Sequence, residues 1–174
     1  MQTDRLVRTM SDSGSPSENQ LPDFGPVGEL QEEVRERLAA RGRFETVPAG
    51  HAVITQGQPH GSFSVLLSGR LRVSVHAHGD LVILGEVKPG ETVGEMGAID
   101  RYNASADVVV VDHPARLWTI ENDEFNEFAE GDPAMGYQVL KMLARELCHM
   151  LRSNSESMLR REETVRDHYR DNDY

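Results

Sequence analysis

The sequence predicts a mainly β domain, a sandwich or closed barrel, with helices at both ends. Three observations carry this reading. Between Phe44 and Ile120 short apolar segments recur, and turn-forming residues separate them at a near-regular beat. Inside these segments the apolar period is two, the period of a half-buried strand. Before and after them the period changes to the three-and-four spacing of a helix. About seven or eight short strands with this spacing fit a sandwich or barrel and not a parallel α/β sheet.

The N-terminal residues 1–26 are rich in Ser, Asp, Glu, Asn, Pro and Gly. They have few apolar side chains to offset chain entropy, so a disordered arm is expected there. A helix is expected over about residues 28–42. Leu30, Val34 and Leu38 form its narrow apolar stripe, and Gly42 is placed as its C-terminal stop.

The turns follow as Pro48-Ala49-Gly50, Gln58-Pro59-His60-Gly61, Ser68-Gly69, His78-Gly79-Asp80, Lys88-Pro89-Gly90, Tyr102-Asn103 and Asp112-His113-Pro114. The strands between them are Ala52–Thr55, Ser62–Leu67, Leu71–His76, Leu81–Val87, Val108–Val111 and Leu117–Ile120. In Leu71–His76, the residues Leu71, Val73 and Val75 are expected to point inward. Arg72, Ser74 and His76 are expected to point outward. Trp118 is read as a core residue.

Glu121–Glu130 reads as a short helix with Phe125 and Phe128 on one side. Asp132-Pro133 opens the next one. Aspartate accepts from free N–H groups, and proline at the first position gives up no bond. This long helix is expected to reach about residue 160. Leu140, Leu143, Leu147 and Met150 form a helix-pairing seam, continued by Asn154 and Met158. A homodimer or a separate protein partner is expected on that seam. The domain therefore spans 27–160, and 161–174 is a charged tail.

Composition excludes several classes. The 174 residues carry 18 Lys+Arg against 29 Asp+Glu, a net charge of −11, which repels a phosphate backbone. No apolar run approaches the roughly 18 residues that span a bilayer, and the N-terminus has no apolar signal region. The single cysteine, Cys148, excludes an intramolecular disulfide and a cysteine-based zinc site. It is read as a half-buried, inert thiol, and a cytoplasmic setting is expected.

The segment Gly94-Glu95-Met96-Gly97-Ala98-Ile99, followed by Ala104-Ser105-Ala106, stands where a barrel needs only a turn. Gly94 permits a close backbone approach. Amides opening a short helix there would face an anion, and Glu95 beside them suits a sugar hydroxyl next to a phosphate.

Taken with Pro48-Ala49-Gly50, Ile54-Thr55-Gln56-Gly57, Leu66-Leu67-Ser68-Gly69-Arg70-Leu71 and Lys88-Pro89-Gly90-Glu91, this segment resembles the cyclic-nucleotide-binding domain family. That family includes the catabolite activator protein and the regulatory subunits of cyclic-AMP-dependent kinase. The likeness covers about residues 30–155 and implies a β-jelly-roll barrel with an N-terminal helix and a long C-terminal helix. It implies a non-enzymatic regulatory module.

By the same resemblance, Glu95 holds the ribose 2′-hydroxyl. Gly94, Met96, Gly97 and Ala98 face the cyclic phosphate, and Ser105 and Ala106 close the cassette. Val73, Leu84 and Val87 line its apolar wall. The family's phosphate-binding arginine falls on Ala104. Loss of one charge-assisted bond, worth on the order of 1.5–3 kcal/mol, weakens binding roughly 10- to 100-fold. Arg101, three residues earlier, is the candidate substitute, with a solvated loop residue the preferred reading. The implied ligand, cyclic AMP or cyclic GMP, is therefore expected to bind weakly or not at all. Met150 and Leu151 align where the catabolite activator protein presents hydroxyl groups to adenine. The tail after the long helix is too short for a helix-turn-helix module, so direct DNA binding is not expected.

The alternative is a cupin-like metal-binding enzyme on the same barrel. His76-x-His78 resembles the first cupin metal motif. Glu86 lies too far along to complete it and no later histidine matches, so a solvated hairpin pair is the preferred reading. No metal is expected.

Overall fold

The computed structural model describes the backbone of residues 19–171 and side chains through residue 155. The chain runs α1 (Gly25–Gly28), α2 (Glu32–Ala39), β1 (Arg43–Val47), β2 (Ala52–Ile54), β3 (Ser62–Ser68), β4 (Leu71–Ala77), β5 (Asp80–Val87), β6 (Thr92–Val93), α3 (Glu95–Asp100), β7 (Asp107–Val110), β8 (Ala115–Glu121), α4 (Asn122–Gly131) and α5 (Pro133–Asp171). The strands form two four-stranded sheets, ordered β1-β8-β3-β6 and β2-β7-β4-β5, with antiparallel pairing throughout. This is the expected jelly roll.

One core joins the first sheet to the helices. Phe63 of β3 packs edge-on against Trp118 of β8 at 5.8 Å and against Phe125 of α4 at 5.6 Å. Val34 and Leu38 of α2 and Val139 and Leu143 of α5 close over them, all fully buried. Trp118 also donates its indole N–H to the Ala39 carbonyl at 3.1 Å, which satisfies the polar atom of a buried ring. A second core, with Leu66, Leu71, Val110 and Leu117, lies between the sheets.

Several expectations are corrected. The expected first helix is two pieces, α1 and α2, with Leu30 buried between them. Gly42 is not a left-handed helix stop. A Cβ there would lie 2.4 Å from the Trp118 indole, so close approach to that ring is the reason for glycine. Of the expected arm, residues 1–18 lie outside the described residues, but Leu21 is buried in the helix-side core. The packed structure thus starts earlier than residue 27.

The alternation of β4 also fails at one point. The β4–β5 register shifts between Val73 and Ser74, and Ser74 is buried. Val73 then pairs with Gly85 and Ser74 with Ile83, which leaves Leu84 as the bulged residue. The hairpin itself turns through His78 (φ 55) and Gly79 (φ 92), the left-handed pair that a two-residue loop requires.

At the C-terminal end, Asp132 accepts from the Met135 amide at 3.2 Å and pairs with Arg37 of α2 at 3.1 Å. The expected opening of α5 is therefore present. The helix runs past residue 160 to Asp171, a stretch with no Gly or Pro to stop it. Its first turns bury Met135, Val139, Met142 and Leu143 on the domain. Within the expected seam, Leu143 is thus a core residue, Leu140 and Met150 are exposed, and Leu147 is half-buried. The Met158 side chain lies outside the described residues. Cys148 is exposed and is not the half-buried thiol expected. Among the described residues, no helix is long and apolar enough to cross a membrane.

Candidate functional site

The short helix α3 bridges β6 and β7 and roofs a cavity of about 160 Å³. Apolar side chains form most of its wall: Ile54, Val73, Val87, Val93, Met96, Ala104, Ala106, Val108 and Met150. The polar lining is His60, Thr92, Glu95, Asp100, Tyr102, Asn103 and Ser105.

Local sequence explains how α3 is seated. Gly94 precedes it in the left-handed region, φ 86. A Cβ at Gly94 would stand 2.6 Å from both the His60 Nε2 and the Ser62 carbonyl oxygen, so no larger residue fits. A Cβ at Gly97 would stand 2.4 Å from the His60 carbonyl oxygen. The close approach expected of Gly94 is therefore to the β2–β3 loop beneath the helix. Asn122, the first residue of α4, fastens the other end. Its side-chain amide donates to the Gly97 carbonyl at 3.0 Å, and its backbone N–H donates to the Gly61 carbonyl at 2.8 Å.

Glu95 is 4% exposed. Burial holds its carboxyl above the usual carboxylate range, partly opposed by a hydrogen bond to its own backbone N–H and reinforced by the charge of Glu146 on α5. The segment that closes the cassette is tied down by backbone bonds. Ala104 donates to the Gln58 carbonyl at 2.9 Å and accepts from Gly57 at 2.8 Å. Ser105 donates to the Met96 sulfur at 3.8 Å.

Nine of the twelve site residues named from sequence line this cavity: Val73, Val87, Gly94, Glu95, Met96, Gly97, Ala104, Ser105 and Ala106. Three do not. Ala98 packs toward the helix-side core. Leu84, displaced by the bulge and 54% exposed, borders a side opening with Glu146, His149 and Met150. Arg101 turns outward and faces Asp123 at 3.7 Å across the surface. Met150 reaches the cavity, whereas Leu151 stays exposed on α5.

Sequence reading missed His60, Thr92 and Asp100. His60 sits in a segment recognised only as a turn, and nothing local shows that the turn folds under α3. Thr92 belongs to a two-residue strand, too short to give a period. The His76 ring, the first of the suspected metal pair, instead contacts Asp107 at 3.2 Å. Among the described residues, no group of three or more His, Cys, Asp or Glu side chains could hold a metal ion.

The barrel thus carries a glycine-opened helix, a buried glutamate at its start and a largely apolar cavity below. The model of the cyclic nucleotide-binding domain matches residues 44–132, half of the chain. The chain belongs to that family. The crystal structure of a cyclic nucleotide-binding domain from Methylobacillus flagellatus superposes with a TM-score of 0.72 at 22% identity, covering 82% of this chain and 79% of the other. The catabolite activator protein of Thermus thermophilus superposes with a TM-score of 0.65 at 23% identity, covering 78% and 62%. Among curated proteins, the Pycsar effector protein XpPycTIR of Xanthomonas perforans is 30% identical over 117 residues, or 67% of this chain. The chain spans 37% of that effector's length.

Proposed function

We propose that this chain is a non-enzymatic regulatory module that takes a cyclic nucleotide weakly, through a cassette without its arginine, and reports occupancy through α5. The observation that carries this reading is Glu95, buried at the start of α3 and facing an apolar cavity, at the family's sugar-binding position. A buried carboxylate is costly even with the bond to its own backbone N–H, so a hydroxyl partner supplied by a ligand gives the position a physical purpose. The apolar wall suits a base. Ala104 and the outward turn of Arg101 leave the phosphate without its usual counter-charge, which favours weak or altered affinity.

Two contacts provide an output. Asn122 ties α3 to α4, and Met150 of α5 lines the cavity. A ligand that moves α3 or displaces Met150 would bias the position of α5. The exposed Leu140 and Met150, with the half-buried Leu147, are the surface we assign to a second copy of the chain or another protein. The relative in Xanthomonas perforans is an effector protein of which this chain matches only a part, which supports reading the module as the sensing portion of a signalling system.

Calorimetric titration of the full chain with cyclic AMP and cyclic GMP tests the ligand. Weak binding is expected, lost in Glu95→Ala and tightened roughly 10- to 100-fold in Ala104→Arg. Silence of both the wild type and Ala104→Arg at millimolar nucleotide would overturn the reading. Light scattering tests the partner surface: a dimer that Leu140→Glu and Met150→Glu dissociate is expected, and a monomeric wild type removes the homodimer.

A further inference from the structure

Among the described residues that line the cavity, His60 is the one whose side chain can carry a positive charge. It reaches the site from the β2–β3 loop, with its ring against Gly94. Its Nε2 is buried and makes no well-formed hydrogen bond, while the Ser62 carbonyl lies beside the ring. The Thr92 hydroxyl, on the same cavity, is also buried without a partner. Burying a polar atom without a partner is unfavourable, so two at one cavity mark a surface that a ligand can complete.

The surroundings are acidic. Glu95 and Asp100 of α3 line the cavity with the Tyr102 phenol, and the charge of Glu121 at the end of β8 acts on the ring. The Ser62 carbonyl of β3 also lies beside it, the neutral Asn122 of α4 donates to the neighbouring Gly61 carbonyl, and the charge of Glu146 on α5 acts on Glu95. Among the described residues, no lysine or arginine lines the cavity.

We propose that His60 is the cationic partner of the ligand: it takes up a proton as an anionic phosphodiester enters the cavity, in place of the arginine absent at Ala104. Burial holds the imidazole below the ordinary histidine range, opposed by the Ser62 carbonyl and Glu121. A buried anion reverses that balance, because it favours the charged ring. Protons are then bound by the complex and not by the free protein. Affinity therefore rises as pH falls and is lost as pH rises through the value of the complex. The Thr92 hydroxyl offers the same anion a neutral donor.

This inference rests on the cyclic-nucleotide reading above, and the experiment separates the two. The full chain is titrated with cyclic AMP and cyclic GMP at several pH values, in buffers of different ionisation enthalpy. Uptake of about one proton per ligand is expected, with affinity weakening up to about tenfold per pH unit within that window. His60→Gln keeps a donor without the charge and should abolish both the uptake and the pH dependence. Ala104→Arg supplies a permanent cation and should reduce the uptake while tightening binding. Binding that Glu95→Ala removes but that takes up no proton overturns the His60 assignment alone, as does uptake that persists in His60→Gln. If neither the wild type nor Ala104→Arg binds at any pH, the ligand reading fails and takes this inference with it.

Discussion

The helix-side core and the cavity under α3 are neighbours in one domain, yet they treat buried polar groups differently. In the helix-side core, Trp118 Nε1 has the Ala39 carbonyl at 3.1 Å, and on the opposite face of the same sheet the Ser64 and Thr119 hydroxyls pair at 2.7 Å. At the cavity, His60 Nε2 and Thr92 Oγ1 have no partner, and Glu95 is buried under desolvation. The first group of side chains is satisfied within the protein. Among the described residues four buried side-chain atoms lack a partner, and two of them, His60 Nε2 and Thr92 Oγ1, meet at this cavity, while Arg72 Nε and Asn122 Oδ1 lie off it. Removing a polar group should therefore have opposite signs in the two places.

The largest effect is expected in the core. Trp118→Ala removes a fully buried ring, its edge contact with Phe63 and its bond to Ala39. A loss of about 3–5 kcal/mol is expected in chemical denaturation. A loss below about 1 kcal/mol would mean that this region is not the foundation of the fold. Next comes Gly97→Ala, where a new Cβ meets the His60 backbone carbonyl, which cannot swing aside as a side chain can. A cost of about 1–3 kcal/mol is expected, with α3 displaced and nucleotide affinity reduced.

The same contrast explains what could be read from the sequence. The barrel was legible because strands such as Ser62–Ser68 and Ala115–Glu121 bury long apolar runs between clear turns. Phe125 and Phe128 were legible from helical spacing. At the cavity, Gly94, Glu95 and Ala104 were reached through a motif, which is local. Leu84 was misplaced because a register shift has no signature in residue order. His60 and Thr92 were missed because their role comes from long-range folding of a turn and a two-residue strand under α3. Arg101 looked available in sequence, yet its left-handed backbone, φ 57, ends α3 and turns the guanidinium toward Asp123.

Glu95→Gln should reverse the sign seen in the core. The folded-state carboxyl sits above its usual value, so the folded chain binds more protons than the unfolded chain between the two values. Stability then falls as pH rises through the usual carboxylate range, and the cost persists at neutral pH. Glutamine removes that cost. We expect stabilisation of about 1 kcal/mol or more at neutral pH, shrinking toward zero as pH falls to the unfolded-state value near 4.5. Nucleotide binding should weaken at the same time. Thermal unfolding across pH checks both arms, and a destabilised Glu95→Gln at neutral pH would place Glu95 among the stabilising groups.

The smallest effect gives the most direct test of the contrast, because it compares two hydroxyls of similar burial. Ser64 and Thr92 are 2% and 8% exposed, and they lie on paired neighbouring strands of one sheet. Ser64→Ala deletes a group whose partner, Thr119, keeps only a longer bond to Glu45 at 3.3 Å. It should cost about 1 kcal/mol. Thr92→Val replaces an unpartnered hydroxyl by a methyl of the same shape against an apolar wall. Since no bond is lost and a desolvated oxygen is removed, it should be neutral or stabilising by up to about 1 kcal/mol. Equal destabilisation by both substitutions, read from urea midpoints at constant slope, would show that Thr92 is satisfied in the free protein. The cavity would then be another part of the core, and its polar groups would give no reason to expect a ligand.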